Sequence, residues 1–310
     1  MTPRLPTPCL LAVALSAALA TLLNAPAYAA NAMNMPAAEK EAVDLDTIRV
    51  RGQRLNTYQT DRSTGATKTD TALQDVPQAI TVVTEKQMRD QAVQGMADAV
   101  RYVPGIGITQ GEGNRDGLVF RGNSSTADFF VDGMRDDVQY YRDTYNIERI
   151  EAFKGPNAMI FGRGSPGGLL NRVTKTADWR EVLSLGLQLG AWQKRRATAD
   201  YAHPFSDAFA FRVTGVYEDS EGFRDGYELK RRGINPTAAI HAGENTLITL
   251  GYEYFRDQRT TDRGIPSYAN AFNGTRFPVA TDRETFFGDP DASRGDVEVN
   301  AFGALLEHDF

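Results

Sequence analysis

The sequence predicts an exported chain with a mixed α+β domain, followed by antiparallel strands of a transmembrane β-barrel. Three features of the 310 residues lead to this fold class. The chain begins with an export signal, it continues with a stretch that mixes one helix with short strands, and it ends with long alternation of apolar and polar residues. Beyond the export signal no run reaches the roughly 18 apolar residues of a membrane helix, so any crossing would use strands.

Residues 1–29 have the organisation of a secretory signal peptide. Arg4 and the amino terminus supply positive charge, Leu10–Leu23 form an apolar run, and Ala27-Tyr28-Ala29 matches a cleavage site before Ala30. The alternative, a transmembrane helix, needs an apolar run of about 20 residues. Cys9 is the only cysteine and lies ahead of the apolar run, so the exported chain would contain neither disulfides nor cysteine metal sites.

Composition excludes several function classes. The chain is 41% hydrophobic and 24% charged, with a formal net charge of -6, and it lacks the basic patch of a nucleic-acid-binding protein. The three histidines are far apart and show no metal-ligand spacing. We find no nucleophile–base arrangement, so the sequence predicts neither an enzyme nor a resident metal or cofactor.

Residues 30–69 form a polar leader and linker with one β-prone island. The island consists of Asp46, Thr47, Ile48, Arg49 and Val50, and it lies between two flexible stretches. So short a strand cannot bury itself, which makes it a candidate for pairing with the strand edge of another protein. An ordered piece of linker explains the island equally well.

Residues 70–176 contain the predicted α+β domain. Ile80–Val83 reads as a strand, and Thr84–Gln87 matches the capping box that begins a helix. Apolar residues then recur at helical spacing from Met88 to Val103, and Pro104-Gly105 ends the helix. The methionines of this helix are expected in the core and not at a metal.

Short strands and tight turns complete this domain. Phe129–Val131 runs into Asp132-Gly133, which is a strong hairpin signal. Ile147–Phe153 and Leu169–Thr174 are two further strands, and Asn157–Phe161 between them could form one helical turn. The whole segment predicts a compact domain of about 100 residues.

Residues 180–310 alternate apolar residues with small or uncharged polar ones. The connection at Pro204–Asp207 is short, whereas those around 219–231 and 263–295 are long and polar. Both features are typical of an outer-membrane barrel, while the alternative, a soluble sandwich, would carry more charges on its wet face. The alternating runs are Leu183–Gly190, Ala197–Tyr201, Phe209–Thr214, Ile248–Tyr254 and the less regular Val297–Leu306.

Two motifs in the sequence are candidates for binding sites. Gly162–Gly167 matches the G-x-G-x-x-G of dinucleotide sites, but it leads into a strand where that site needs a helix, so we reject it. Arg115, Tyr140, Tyr141 and Arg142 combine cations with aromatic rings near predicted turns. This chemistry suits a large anionic aromatic ligand, although a solvated pair of loops explains it without any ligand.

The order and spacing of several motifs resemble the plug domain of TonB-dependent outer-membrane receptors over about 100 residues. Within this family, Ser125–Arg142 is most similar to the catecholate siderophore receptors. The motifs that carry the resemblance are Val119–Gly122, Phe130–Gly133, Ile147–Pro156, Phe161–Gly164 and Gly167–Lys175.

The resemblance implies a 22-stranded barrel that is filled by the plug, located in the outer membrane and in contact with its lipid. It implies that a ferric siderophore, which carries the iron as ligand, binds on the outer side, where Arg115, Tyr140, Tyr141 and Arg142 are candidate contacts. Residues 46–50 fall at the position of the family's TonB box, which pairs with the energy-transducing protein TonB. Ligand binding and exposure of this box must then be energetically coupled.

The chain departs from the family pattern in two ways. The short leader has no room for the extra N-terminal domain of signalling receptors, which favours transport alone. About six strands are too few to close the barrel, since open edges in lipid leave unpaired polar groups, so we expect a truncated form that ends at Phe310. Alternative functions are a receptor for cobalamin, haem or a sugar, and a plug-containing binding module that transports nothing.

Overall fold

A computed structural model of the chain describes residues 57–61, 63–69, 71–109, 111–155, 160–162, 166–270 and 272–310. The predicted signal peptide and the island Asp46–Val50 lie outside these ranges, as does Arg163–Ser165 of the glycine-rich motif. The helical turn predicted at Asn157–Phe161 also lies mostly outside them. Among the described residues, no helix has the length and apolar character needed to cross a lipid bilayer.

The first sheet of the α+β domain has five strands in the order β1-β7-β8-β5-β6. Its neighbours are antiparallel except for the parallel pair β5 and β8. A second sheet has the order β2-β3-β4. The strands are β1 (Ala79–Thr84), β2 (Ile106–Thr109), β3 (Gly117–Phe120), β4 (Asn123–Ser125), β5 (Phe129–Val131), β6 (Met134–Arg135), β7 (Ile147–Lys154) and β8 (Gly168–Thr174).

The helix predicted over residues 84–103 is wrong as one continuous element. The structure has two short helices there, α2 (Glu85–Asp90) and α3 (Met96–Val100), besides α1 (Thr64–Thr67) nearer the amino terminus. Ala92 adopts a positive φ of 52°, and the extended Gly95 caps the second helix, so the chain turns between them. The capping box is confirmed, because the Thr84 hydroxyl accepts a hydrogen bond from the amide of Gln87 at 3.3 Å.

The periodic apolar pattern correctly predicted which side chains of this segment are buried, although it wrongly predicted one continuous helix. Residues from both helices, with neighbours from the sheets, form one cluster on one face of β7 and β8, which we name the helix-side cluster. Its members include Met88, Met96, Val100, Ile150 and Leu170, each at most 4% exposed. Spacing of this kind reports which side chains face the core, and a turn of suitable length can preserve it.

The opposite face of the same strands carries a second apolar cluster, which we name the strap-side cluster. It joins Ala66 of α1 to Phe130, Phe153 and Leu169 of the sheet, and each of these side chains is at most 1% exposed. Adjacent residues such as Leu169 and Leu170 point to opposite faces because side chains alternate along a strand. The domain is therefore a sheet with apolar packing on both sides.

The hairpin predicted at Asp132-Gly133 is confirmed. These residues join β5 to β6 with φ angles of 49° and 81°, which is the double positive conformation of a mirror-image two-residue turn. The Asp132 carboxylate also accepts hydrogen bonds from the amide and hydroxyl of Thr174, at 2.9 and 2.7 Å. The turn is thereby tied to the end of β8.

The C-terminal half forms one open antiparallel sheet, which we name the wall, in the order β16-β13-β12-β11-β10-β9. The fold class predicted from the sequence, an α+β domain followed by antiparallel barrel-type strands, is confirmed. A small hairpin, β14 (Ser267–Ala269) with β15 (Arg276–Pro278), lies in the longest connection. The strands of the wall are β9 (Val182–Leu189), β10 (Arg195–Ser206), β11 (Phe209–Glu221), β12 (Glu228–His241), β13 (Thr246–Thr260) and β16 (Arg294–His308).

The alternation pattern did not identify β12, and the long polar loop predicted around 219–231 is wrong. Strands β11 and β12 extend into that range, and residues 222–227 alone connect them. Two features obscure the pattern, since β12 contains Pro236, a residue that is unfavourable in strands, and Arg231 on its inner face is charged. The long connection predicted at 263–295 agrees with the structure, in which residues 261–293 link β13 to β16.

The two faces of the wall differ in chemistry. Leu183, Leu185, Leu187 and Leu189 project from the outer face of β9 with 70–86% exposure. The inner face of the neighbouring strands carries buried charges, and Arg196, Asp200 and Arg212 among them contact the α+β domain. Apolar residues outside and polar residues inside are the arrangement of a membrane barrel and the reverse of a soluble sandwich.

We expect the apolar clusters to determine the stability of the α+β domain and the outer leucines to contribute nothing to it. Leu170→Ala should destabilise this domain by about 2–5 kcal/mol through lost burial and a residual cavity. Leu187→Ala is the matched control, because Leu187 is 84% exposed whereas Leu170 is 0% exposed. Calorimetric melting of both purified variants in detergent micelles measures the difference, and equal melting temperatures would contradict the packing described.

Candidate functional site

A row of four charges crosses the inner face of the wall, and we name it the charge belt. It consists of Arg196 on β10, Glu218 on β11, Arg231 on β12 and Asp257 on β13. Each is the direct cross-strand partner of the next, because Arg196 pairs with Glu218, Glu218 with Arg231, and Arg231 with Asp257. Directly opposite residues lie about 4.5–5.5 Å apart at Cβ, so the alternating signs stabilise the row.

The α+β domain inserts one carboxylate into this belt. Asp143 accepts bonds from Arg196 Nη2 at 2.7 Å, from Arg196 Nη1 at 2.9 Å and from Arg231 Nη1 at 2.6 Å. The amides of Thr144 and Tyr145 donate to Asp143 Oδ1 at 2.7 and 2.9 Å. Its side chain is only 1% exposed. The carboxylate is thus held by two guanidinium groups of the wall and two amides of its own loop.

The electrostatic environment keeps Asp143 ionised. Burial by itself would raise the pKa of this carboxyl, but Arg231 and Arg196 outweigh burial and lower the pKa from 3.8 to about 2. Each arginine also binds a wall acid, since Arg196 Nη1 donates to Glu218 at 2.7 Å and Arg231 Nε donates to Asp257 at 2.8 Å. Every buried charge at this junction therefore has an opposite neighbour.

The residues after Asp143 contact the wall through a second acid. The Tyr145 hydroxyl and the Asn146 amide donate to Glu253 Oε1 at 3.2 and 3.0 Å. The Tyr145 ring lies against Gly233, where an added Cβ would be 2.9 Å from the phenol oxygen. Glycine at this position of β12 lets the loop approach the backbone of the wall.

A third contact between the α+β domain and the wall lies further along β10. Here the α+β domain supplies the cation and the wall supplies the anion, the reverse of the contact at Asp143. Lys175 of the α+β domain donates to Asp200 Oδ2 at 3.1 Å, and it also pairs with Glu85 Oε1 at 3.1 Å. Arg212 of the wall binds Asp200 through Nε and Nη2 at 2.9 and 2.8 Å, and donates to the carbonyl oxygen of Thr176 at 3.3 Å. Here the wall supplies the carboxylate.

Of the predicted ligand residues, Arg142 and Tyr140 lie inside the protein. The Arg142 guanidinium donates to the carbonyl oxygens of Asp136, Val138 and Tyr140 at 2.6–3.2 Å, and to Asp136 Oδ2 at 2.9 Å. Its side chain is 0% exposed, and Tyr140 is 5% exposed. Both side chains therefore shape the loop from Asp136 to Arg142 in this conformation.

Tyr141 and Arg115 lie nearer the surface. The Arg259 guanidinium of the wall covers the Tyr141 ring at 3.9 Å, and burial raises the pKa of Tyr141 to about 12. Arg115 Nη2 pairs with Glu112 at 3.3 Å and keeps 22% of its side chain exposed. The structure brings the segments of both residues together, because the amide of Asp116 donates to the carbonyl oxygen of Tyr140 at 3.2 Å.

These segments meet the end of the wall from which the longest connection projects. An added Cβ on Gly113 would lie 2.3 Å from the carbonyl oxygen of Asp262, so the two backbones are in direct contact. Asp262 pairs with Arg224 at 2.7 Å, and Arg224 also donates to the carbonyl oxygens of Arg283 and Thr285. One junction thus holds the Gly113 loop and the connections 222–227 and 261–293.

Sequence reasoning missed the residues that dock the two parts of the chain. Asp143 directly follows the predicted ligand residues in the sequence, and Arg196 and Arg231 stand within residues 180–310, the predicted barrel segment. One feature of the sequence could have pointed to these residues. A charged side chain stands at an inner position of a strand whose outer positions are apolar, as at Arg196 and Arg231. Within the described ranges, no group of three or more His, Cys, Asp or Glu residues is arranged to hold a metal ion.

Comparison with known proteins follows the same division of the chain. Residues 72–169 match the family model described as TonB-dependent Receptor Plug Domain. The chain is 31% identical to the probable TonB-dependent receptor BfrD of Bordetella pertussis, over 89% of its own length and 38% of that protein. It is 28% identical to the catecholate siderophore receptor Fiu of Escherichia coli K12, over 88% of the chain and 38% of Fiu.

Solved structures agree with these relatives. The crystal structure of the siderophore receptor PiuA from Acinetobacter baumannii superposes with a TM-score of 0.75 at 28% identity, covering 83% of this chain and 37% of that one. The chain thus spans less than two fifths of the length of the relatives named here. The predicted outer-membrane location is confirmed by the same matches. Together they identify residues 72–169 as a TonB-dependent receptor plug domain, and the chain that carries it as a relative of the siderophore receptors of that family.

Proposed function

We propose that the chain is part of a receptor that binds a ferric siderophore, of catecholate type, and imports it in a step that depends on TonB. The observation that carries this proposal is the charged, buried interface between the plug and the wall, centred on Asp143, Arg196 and Arg231. Relatives named as siderophore receptors, including the catecholate receptor Fiu, support the ligand class. No enzymatic step is part of the proposal.

The interface has the chemistry of a contact that can open. Asp143 and Lys175 of the plug dock on charged groups of the wall. Tyr140 and Tyr145 of the plug also pack against Phe255 of the wall in a small apolar cluster. The helix-side cluster and the strap-side cluster, by contrast, include no described residue of the wall. Water can replace the partners of separated charges, whereas exposed apolar surface carries a lasting cost of roughly 25 cal/mol per Å². A plug could therefore leave such a wall without losing its own core.

The proposed ligand contacts lie at the end of the wall that carries the longest connection. Arg115 and Tyr141 combine a guanidinium group with an aromatic ring, which suits an anionic ligand with aromatic rings. Arg142 and Tyr140, predicted as contacts from the sequence, are proposed to position Tyr141, because they hold the loop from Asp136 onward. The end of the wall with the longest connection is then the outer end of the receptor.

TonB would act through the amino-terminal segment. The proposed TonB box, Asp46–Val50, precedes a described segment that is fastened to the plug sheet. Ser63 Oγ donates to Glu151 Oε1 at 2.7 Å, and Ala66 is fully buried in the strap-side cluster. Gly65 lies so close to Glu151 that an added Cβ would be 2.1 Å from Oε2. Force on the box would reach strand β7 of the plug sheet through these contacts.

Removing the TonB box should separate import from binding. We expect deletion of Asp46–Val50 to abolish energy-dependent uptake of radiolabelled ferric catecholate by cells that express the protein, while binding at the cell surface is unchanged. Deletion of residues 36–40, five residues of the same leader, is the matched control and should leave uptake intact. Normal energy-dependent uptake without the box would contradict the coupling, and uptake of ferric hydroxamates alone would contradict the ligand class.

Arg115 should contribute to ligand affinity. Arg115→Gln should raise the Kd for ferric catecholate by about tenfold, the effect of losing one charge-assisted hydrogen bond. Arg89→Gln is the control, because Arg89 is an exposed arginine of α2 in the same domain. Quenching of intrinsic fluorescence on titration with ligand measures both affinities, and an equal Kd for the two variants would exclude Arg115 as a contact.

A further inference from the structure

Two guanidinium groups of the wall converge on one carboxylate from another domain. Arg196 and Arg231 together donate three hydrogen bonds of 2.6–2.9 Å to Asp143, and their side chains are 4% and 7% exposed. Paired guanidinium forks match the geometry of a carboxylate or of another anion with two adjacent oxygens. Asp143 occupies this place as a free carboxylate ligand would.

The wall holds both arginines in position without help from the plug. Arg196 is fixed by Glu218, and Arg231 is fixed by Asp257, both across neighbouring strands. Asp257 also accepts two bonds from Arg259, at 2.6 and 2.7 Å. The guanidinium groups would therefore keep their orientation after Asp143 had left, and binding to a preorganised site costs less ordering.

The charge balance then favours an incoming anion. The belt, with Lys194 paired to Glu218 and Arg259 paired to Asp257, contains four cations and two anions. Asp143 supplies the third anion, so its departure raises the local net charge from +1 to +2. Leaving buried cations short of a partner is costly, and an anionic group of suitable size would remove that cost.

We propose that Arg196 and Arg231 form an anion-binding site on the inner wall, whose resident anion is Asp143, and that an anionic group of the ligand takes this place while the plug segment is withdrawn. Carboxylates and deprotonated catecholates are the chemical classes that fit. The first half of this proposal concerns the site alone, and the second half rests on the proposed transport function.

Chemical rescue tests the site directly. Asp143→Ala in the purified full chain removes the resident carboxylate and should lower the melting temperature. Sodium formate or acetate should restore much of the loss in a saturable manner, whereas sodium chloride at equal ionic strength should not. Asp143→Asn is the matched control, because the amide removes the charge but fills the space, so formate should have no specific effect.

The outcome of rescue decides the first half of the proposal. Equal effects of formate and chloride on Asp143→Ala, or equal rescue of Asp143→Asn, would overturn the site. Asp143→Ser provides the same test if the alanine variant does not fold, since its hydroxyl can still accept from the amides of Thr144 and Tyr145. This measurement needs no transport, so it stands whether or not the receptor function is correct.

Uptake tests the second half. The double variant Asp143→Asn with Arg231→Gln neutralises both partners and leaves no unpaired charge between them. It should lower the initial rate of ferric catecholate uptake by about tenfold, the effect of one charge-assisted hydrogen bond, with surface binding unchanged. Arg256→Gln with Asp296→Asn, a partly exposed pair on β13 and β16, is the control and should import normally.

Each uptake result has one meaning. Normal uptake by the Asp143/Arg231 double variant would overturn the transit role and leave the anion site to the rescue experiment. An equal loss in both double variants would also overturn it, because the loss would then follow any neutralised pair. Absence of uptake in wild-type cells would contradict the proposed function itself.

Discussion

The structure depends on the placement of one plug carboxylate between two arginines of the wall. A buried ion without partners is strongly destabilising, so Asp143 can occupy this position only because Arg196, Arg231 and two backbone amides surround it. The arginines in turn need Glu218 and Asp257, which makes the charge belt a property of four strands. The same ion pairs therefore stabilise both the register of the wall strands and the docking of the plug.

The polarity of the contacts also fixes how the plug sits against the wall. On β10 the wall offers a cation to Asp143 at Arg196, and an anion to Lys175 at Asp200, four residues further along. Four residues of a strand span about 13 Å. A plug displaced by that distance would place Asp143 against Asp200, and like charges would meet. Opposite signs at two heights therefore specify one position, which a uniformly apolar interface could not do.

Many elements of the fold can be predicted from the sequence. The contacts between the plug and the wall cannot, and the reason is physical. Local chemistry identified the Thr84 cap, the Asp132-Gly133 turn and the strands around Ile150 and Leu170. The turn at Ala92 escaped because the apolar spacing continues across it. Asp143, Arg196 and Arg231 are separated by 35 or more residues in the sequence, and no local pattern encodes their meeting. That meeting is created by the register of β10, β11 and β12 and by the loop after Arg142.

The two apolar clusters of the plug would respond differently to force applied at the amino-terminal segment. Ala66 of the amino-terminal segment belongs to the strap-side cluster with Phe130 and Phe153, whereas the helix-side cluster contains no residue from that segment. Tension applied from the amino terminus would first break the hydrogen bonds of Thr57 and Tyr58 with the Thr84 and Asp90 side chains. It would next break the bond between Ser63 and Glu151, and would then withdraw Ala66. The helix-side cluster would stay packed through these steps because its contacts involve only residues from Val83 onward. Such a domain can lose the packing of the strap-side cluster under load while the helix-side cluster keeps the sheet intact. The docked Asp143 loop continues directly into β7 and therefore remains attached to the sheet.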